Sequence, residues 1–117
     1  MKRNNTIKSI GYALKGAYLL LKTETSIQIQ AIIAIVMTIA GFYFQLSSTE
    51  WILQILTIAL VMSIEGLNTA VEKMADFIHP EHHHRIGFIK DIAAGAVFIA
   101  AVAAIIIGAI IYIPKIF

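Results

Sequence analysis

The chain has 117 residues, one domain's worth on length alone, and 59% of them are apolar against 14% charged. A soluble domain keeps roughly a quarter of its residues charged to stay hydrated, so this composition excludes a soluble globule and a disordered chain. A formal charge of +2 is too small to suggest a nucleic-acid partner, and the lack of cysteine excludes disulfide frameworks and Cys-based metal sites. What remains is a small, all-α integral membrane protein.

Residues 5–24 carry Lys8, Lys15 and Lys22 at intervals of seven, so the lysines line one stripe of a helix. Ile7, Ile10, Leu14, Ala17, Tyr18 and Leu21 fill much of the opposite side. This pattern predicts an amphipathic helix lying in the membrane surface. A signal peptide fits less well, because no compact apolar core with a cleavage site follows the basic start.

Beyond Glu24, 25 residues pass without a charge before Glu50, and 23 pass between Asp91 and Lys115. Both exceed the ~20 residues that cross a hydrocarbon core of roughly 30 Å. Membrane helices are therefore predicted at about 26–46 and 90–113. Between Glu50 and Glu65 only 14 uncharged residues run. The middle span, about 51–77, must then carry Glu65 into the membrane, where an acid is expensive and by default functional.

Basic residues set the orientation. Lys2, Arg3, Lys8, Lys15 and Lys22 precede the first span, and Lys73, Arg85 and Lys90 flank the connection between the second and third. The turn at 45–50 has no basic residue and the C-terminal tail only Lys115. The N-terminus and the 77–90 connection are predicted on the cytoplasmic side.

Six of the seven acids, all but Glu50, fall at that side. Glu65, Asn68, Glu72 and Asp76 are spaced 3, 4 and 4 and share one helix face. Glu65 and Glu72 lie about 10.5 Å apart along the axis, one at lipid-headgroup depth and the other near water. Glu24 ends the surface helix at the same level, and Lys90 and Asp91 open the third span. This suits a reaction joining a membrane-dissolved alcohol to a water-soluble phosphate donor. Glu65 would accept a hydroxyl proton. Glu24 and Glu72, with Asn68, would hold a hard divalent cation, and Lys90 would neutralise phosphate charge. Asp76, Glu81 and Arg85 also read as ordinary helix-end decoration. Glu65 and Asn68 do not, because polar groups on the membrane side need partners.

No GxxxxGK[ST] loop is present. The run His79-Pro80-Glu81-His82-His83-His84 resembles a metal tract, but the proline makes it a loop, and a solvated loop is preferred to a zinc site. Small residues from Ala93 to Gly108 allow close helix packing, and Tyr12, Tyr18 and Trp51 read as interface anchors. Three short spans bury little surface, so self-association is expected.

Glu65-Gly66-Leu67-Asn68-Thr69-Ala70-Val71-Glu72, then Asp76, then Lys90-Asp91-Ile92-Ala93-Ala94-Gly95-Ala96-Val97, resembles the E-x-x-N-[ST]-A-x-E and K-D-x-x-[AS]-[AG]-A-V signature of the bacterial diacylglycerol kinases, a family that includes the undecaprenol kinases. The likeness runs over roughly residues 8–113, with Gly11, Tyr12, Gly16 and Glu24 at the positions of its surface helix and first acid. It implies a homotrimeric lipid kinase of the bacterial inner membrane that uses MgATP, with a surface helix and three transmembrane helices per subunit. Glu65 matches the family's proton acceptor, Glu24 and Glu72 its Mg²⁺ ligands, and Asn68 the polar residue beside them. Lys90 and Asp91 match nucleotide-contacting positions, as do Tyr12, Glu81, His82 and His83, with Glu24 and Glu72 contacting the nucleotide through the metal.

The stretch Thr25-Ser26-Ile27-Gln28-Ile29-Gln30 departs from the pattern. Many members have an aromatic–arginine pair there, then His or Glu. The expected function is phosphorylation of a membrane lipid alcohol, either diacylglycerol or undecaprenol, with a slight lean to the latter. A small proton-coupled multidrug-type transporter with Glu65 as its membrane acid is the alternative, but it would want that acid at the midplane without an acidic cluster at one surface. A non-enzymatic partner subunit would leave Glu65 without a role.

Overall fold

The computed structural model of the chain describes residues 5–117. Lys2 and Arg3, counted above toward the orientation, lie outside the described residues. Four helices make up the described residues: α1 (Thr6–Thr23), α2 (Thr25–Tyr43), α3 (Ser48–Ile78) and α4 (His84–Ile116). The last three are long and apolar enough to cross a membrane.

Asn5 starts α1, its side chain accepting from the Ile7 N–H at 2.9 Å and so meeting one of the donors a helix start leaves unpaired. No residue of α1 is buried, as befits a helix lying on a surface rather than within a bundle. Glu24 alone, in extended conformation, separates α1 from α2. Gln28 braces this elbow by donating from Nε2 to the carbonyls of Leu21 and Lys22, both at 3.1 Å. These are C-terminal carbonyls of α1, which would otherwise lack helical partners.

Helix α2 ends at Tyr43, three residues before the predicted end. The Leu46 N–H turns back to the Gly41 carbonyl at 3.1 Å, and Gln45 adopts a left-handed φ of 54°. This closes the helix in the manner of a Schellman cap. Gly41 of α2 lies against the Trp51 ring of α3. A Cβ there would come within 2.5 Å of the Trp51 ring, so only glycine fits without a shift. Helix α3 begins three residues before prediction because Ser47 and Glu50 form a reciprocal capping box.

Helix α4 begins six residues before the predicted 90, so Lys90 and Asp91 lie in its second turn rather than opening it. His83, in extended conformation, is the cap, its Nδ1 accepting from the Arg85 N–H at 3.1 Å. The helix also runs past the predicted 113. Pro114 offers no N–H to the Ile110 carbonyl, but it stands in the last turn, where little helix follows to be disrupted, and Lys115 then reaches Glu50 at 3.1 Å.

Helices α3 and α4 form an antiparallel pair, since Asp76 meets Lys90 at one end and Glu50 meets Lys115 at the other. Helix α2 packs antiparallel to α3, as the Gln30–Glu65 and Gln54–Met37 contacts require. The apolar core lies at the Glu50 end, where Leu46, Ile111 and Tyr112 pack with Phe44 and Trp51. Within it Gln54, 5% exposed, donates to the Met37 carbonyl and accepts from the Tyr112 hydroxyl. The outer faces of α2, α3 and α4 stay apolar and exposed, with Ile35, Leu56 and Ile99 among them. That is the surface a helix offers to lipid or to another helix.

Candidate functional site

The acids predicted to act together are spread along the part of α3 away from the apolar core, with Glu24 at the α1–α2 elbow tied to α3 through Lys73. Glu65 faces inward and is only 7% exposed. Its Oε1 accepts a hydrogen bond from Gln30 Nε2 of α2 at 3.0 Å, while Oε2 is buried without a partner. One turn on, Asn68 donates from Nδ2 to Glu72 Oε1 at 2.8 Å, and its Oδ1 is likewise buried and unmet. Glu72 is exposed. Gly66, between these acids, lies against Leu20 of α1, where a Cβ would come within 3.0 Å of the leucine Cδ1. The Leu20 side chain of α1 thus reaches α3 beside the buried carboxylate.

Glu24 sits at the elbow, half-buried, with Lys73 Nζ at 3.2 Å. Asp76 and Lys90 pair across the α3–α4 hairpin. Beyond them the histidine loop borders an open cavity of about 220 Å³ lined by His79, Glu81, His82, His83 and Lys90. His79 and His83 rings lie 5.2 Å apart, and His83 stacks on His84 at 4.7 Å. Three of the predicted nucleotide contacts, Glu81, His82 and His83, therefore share one cavity with a fourth, Lys90. Asp91 is exposed on α4 just beyond it, and Tyr12 is exposed on α1.

The two predicted metal ligands have separate partners, Lys73 for Glu24 and Asn68 for Glu72. Among the described residues no three His, Asp or Glu side chains are gathered to hold a metal. The donor chemistry nevertheless suits a hard cation. Carboxylates stand at the water-facing end, and the Asn68 Oδ1 beside them is an acceptor with nothing to accept. A magnesium ion needs only one or two such carboxylates when phosphates and water complete its shell.

A second cavity, about 400 Å³, lies between α2, α3 and α4 and runs away from Glu65. Its walls are apolar side chains such as Ile33, Val61 and Ile105, with Gln30 toward the Glu65 end and Gln54 at the other. Gln30 thus belongs both to the cavity wall and to the Glu65 hydrogen bond. The sequence pattern marked Gln30 only as a departure, used Lys73 only for orientation and gave Gln54 no role. A signal was available for the glutamines, since an amide inside a membrane span requires a partner on another helix.

Three membrane-length helices, a further helix with no buried residue and a carboxylate buried among the spans define an integral membrane protein. The family model of Prokaryotic diacylglycerol kinase matches residues 11–112, and the chain belongs to this family. It is 40% identical over 112 residues to the Undecaprenol kinase of Bacillus subtilis, covering 96% of this chain and 91% of that protein. It is 35% identical over 107 residues to the Diacylglycerol kinase of Haemophilus influenzae, with 91% of each covered. To the Diacylglycerol kinase of Synechocystis it is 33% identical over 111 residues, which span 94% of this chain and 63% of that longer protein. The chain is accordingly an integral membrane lipid kinase, and nothing in these likenesses supports a transporter.

Proposed function

We propose that this kinase transfers the γ-phosphoryl group of MgATP to the hydroxyl of a long-chain polyprenol at the cytoplasmic face of the bacterial inner membrane. The carrying observation is the apolar cavity that adjoins the half-bonded Glu65 carboxylate through Gln30. A diacylglycerol brings two ester carbonyls close to its hydroxyl, and buried carbonyls need donors. A polyprenol is hydrocarbon beyond its hydroxyl and needs none. The 40% identity to a protein named Undecaprenol kinase supports the same acceptor. Diacylglycerol is the second reading, favoured by the likeness to proteins of that name.

In this reading the hydroxyl proton passes to Glu65 Oε2, and the alcohol oxygen bonds to the γ-phosphorus. The bond from that phosphorus to the β–γ bridging oxygen breaks, and ADP leaves with its electron pair. Lipid monophosphate and ADP form, and Glu65 returns its proton to water. Lys90, Asp91, Tyr12 and the Glu81–His83 cavity hold the nucleotide, with Asp76 orienting Lys90. Glu24, Glu72 and Asn68 would hold Mg²⁺, whose charge offsets that of the phosphates when bound. The basic residues of α1 and of the α3–α4 connection support a cytoplasmic N-terminus, and a homotrimer would cover the apolar outer faces.

The test offers radiolabelled ATP and Mg²⁺ to the protein in mixed micelles containing undecaprenol or diacylglycerol. Faster labelling of undecaprenol is expected. Transfer to diacylglycerol alone would overturn the acceptor.

A further inference from the structure

We infer that Gln30 is the positioning residue for the proton acceptor, holding Glu65 Oε1 so that Oε2 is the oxygen presented to the substrate. This rests on the reading of Glu65 as the group that takes the hydroxyl proton.

Glu65 is 7% exposed and its Oε2 has no protein partner, so the one orienting contact the protein supplies falls on Oε1. Among the described residues Gln30 is the side chain hydrogen-bonded to Glu65, while the polar groups further along the face have other partners. The Asn68 amide serves Glu72, Lys73 serves Glu24 and Lys90 serves Asp76. Gln30 Nε2, at 3.0 Å, supplies the orienting bond from a different helix. An ionised carboxylate only accepts, so the amide must turn its NH₂ toward Glu65. Without that bond the carboxyl group turns freely about its last torsion, which is broad and roughly two-fold for glutamate. With the bond one oxygen is spoken for and the other is fixed.

Residue type matters as much as place. A carboxylate at position 30 would set two acids within hydrogen-bond distance, and like charges so close resist joint ionisation. An amide donates without titrating, so Glu65 keeps one proton-accepting oxygen of its own. Gln30 also lines the apolar cavity. A chain seated there passes the orienting amide before its hydroxyl reaches Oε2.

The full-length protein in micelles, supplied with MgATP and undecaprenol, tests this with Gln30→Met and Gln30→His. Methionine matches the length but donates nothing, whereas a histidine ring N–H restores a donor. Gln30→Met is expected to lower kcat about 10- to 100-fold, the scale of one preorganised hydrogen bond, with KM for both substrates within about twofold. Gln30→His is expected to recover to within about fivefold of wild type. Infrared spectra need no turnover: the Glu65 carboxylate band, assigned by its loss in Glu65→Gln, should shift in Gln30→Met and return in Gln30→His. Wild-type kcat in Gln30→Met, or an unmoved carboxylate band, would overturn the inference. If diacylglycerol is the lipid labelled, the acceptor assignment fails and the same comparison is read on diacylglycerol.

Discussion

Glu65→Gln should separate chemistry from stability, and the structure sets the sign of each. The substitution keeps side-chain length and leaves the bond from Gln30 Nε2 intact, because the new amide still offers a carbonyl oxygen there. The atom that changes is Oε2, which has no protein partner to lose. Stability should therefore not fall. A charge at the centre of a membrane helix costs about 2.5–3.5 kcal/mol on insertion scales. Glu65 lies off-centre, so a gain of about 1 kcal/mol on neutralisation is the upper expectation. Activity moves the other way: loss of a general base costs 10²–10⁴-fold, or about 3–5 kcal/mol at 1.36 kcal/mol per decade. Phosphoryl transfer from radiolabelled ATP and thermal unfolding in the same detergent measure the two together. Full activity in Glu65→Gln would refute the proton-acceptor role. A fall in both activity and unfolding temperature would refute the buried-charge reasoning, because it would mean that the carboxylate holds the fold together.

Lys90→Met should raise KM for MgATP by about tenfold or more while leaving lipid KM within about twofold, since a charge-assisted contact to phosphate is worth about 1.5–3 kcal/mol; equal effects on both KM values would count against a nucleotide role. In the apolar core, Tyr112→Phe strips Gln54 Oε1 of its donor. A double-mutant cycle with Gln54→Leu should give a coupling of about 0.5–2 kcal/mol in detergent unfolding, and additivity would show that the pair is not coupled. Gly41→Ala drives a methyl into the Trp51 ring. Overpacking of about 1–3 kcal/mol, set against roughly 1 kcal/mol of regained helix propensity, predicts a lower unfolding temperature. Trp51→Leu in the same chain should remove that loss.

Features governed by local rules were legible in the sequence. The 3-4-4 spacing that aligns Glu65, Asn68, Glu72 and Asp76 follows from helical periodicity alone, and charge-free gaps locate spans because a bilayer has a known thickness. Helix ends were less legible for identifiable reasons. Counting charges made Glu50 a flank, although Ser47-Ser48-Thr49-Glu50 already carries the capping-box pattern. His83 caps α4 through a ring nitrogen, for which there is no familiar sequence signature. Cross-helix pairs were illegible. Gln30–Glu65 and Gln54–Tyr112 join residues 35 and 58 apart, and their meeting depends on how each helix is rotated about its axis.

Those cross-helix pairs also explain why the site stands where it does. Polar groups in the spans must find partners, since lipid offers none. Gln54 satisfies itself between Met37 and Tyr112, and Gln30 with Asn68 spends its donors on Glu65 and Glu72. Among the described residues two buried side-chain oxygens stay unmet, Glu65 Oε2 and Asn68 Oδ1, and they lie three residues apart on one face of α3. Both are acceptors, and an unmet acceptor in an apolar setting costs about 1–3 kcal/mol. A hydroxyl brings a proton to such an atom and a hard cation brings a positive charge. A lipid alcohol at Glu65 and Mg²⁺ near Asn68 would therefore each relieve a deficit that the fold itself leaves open.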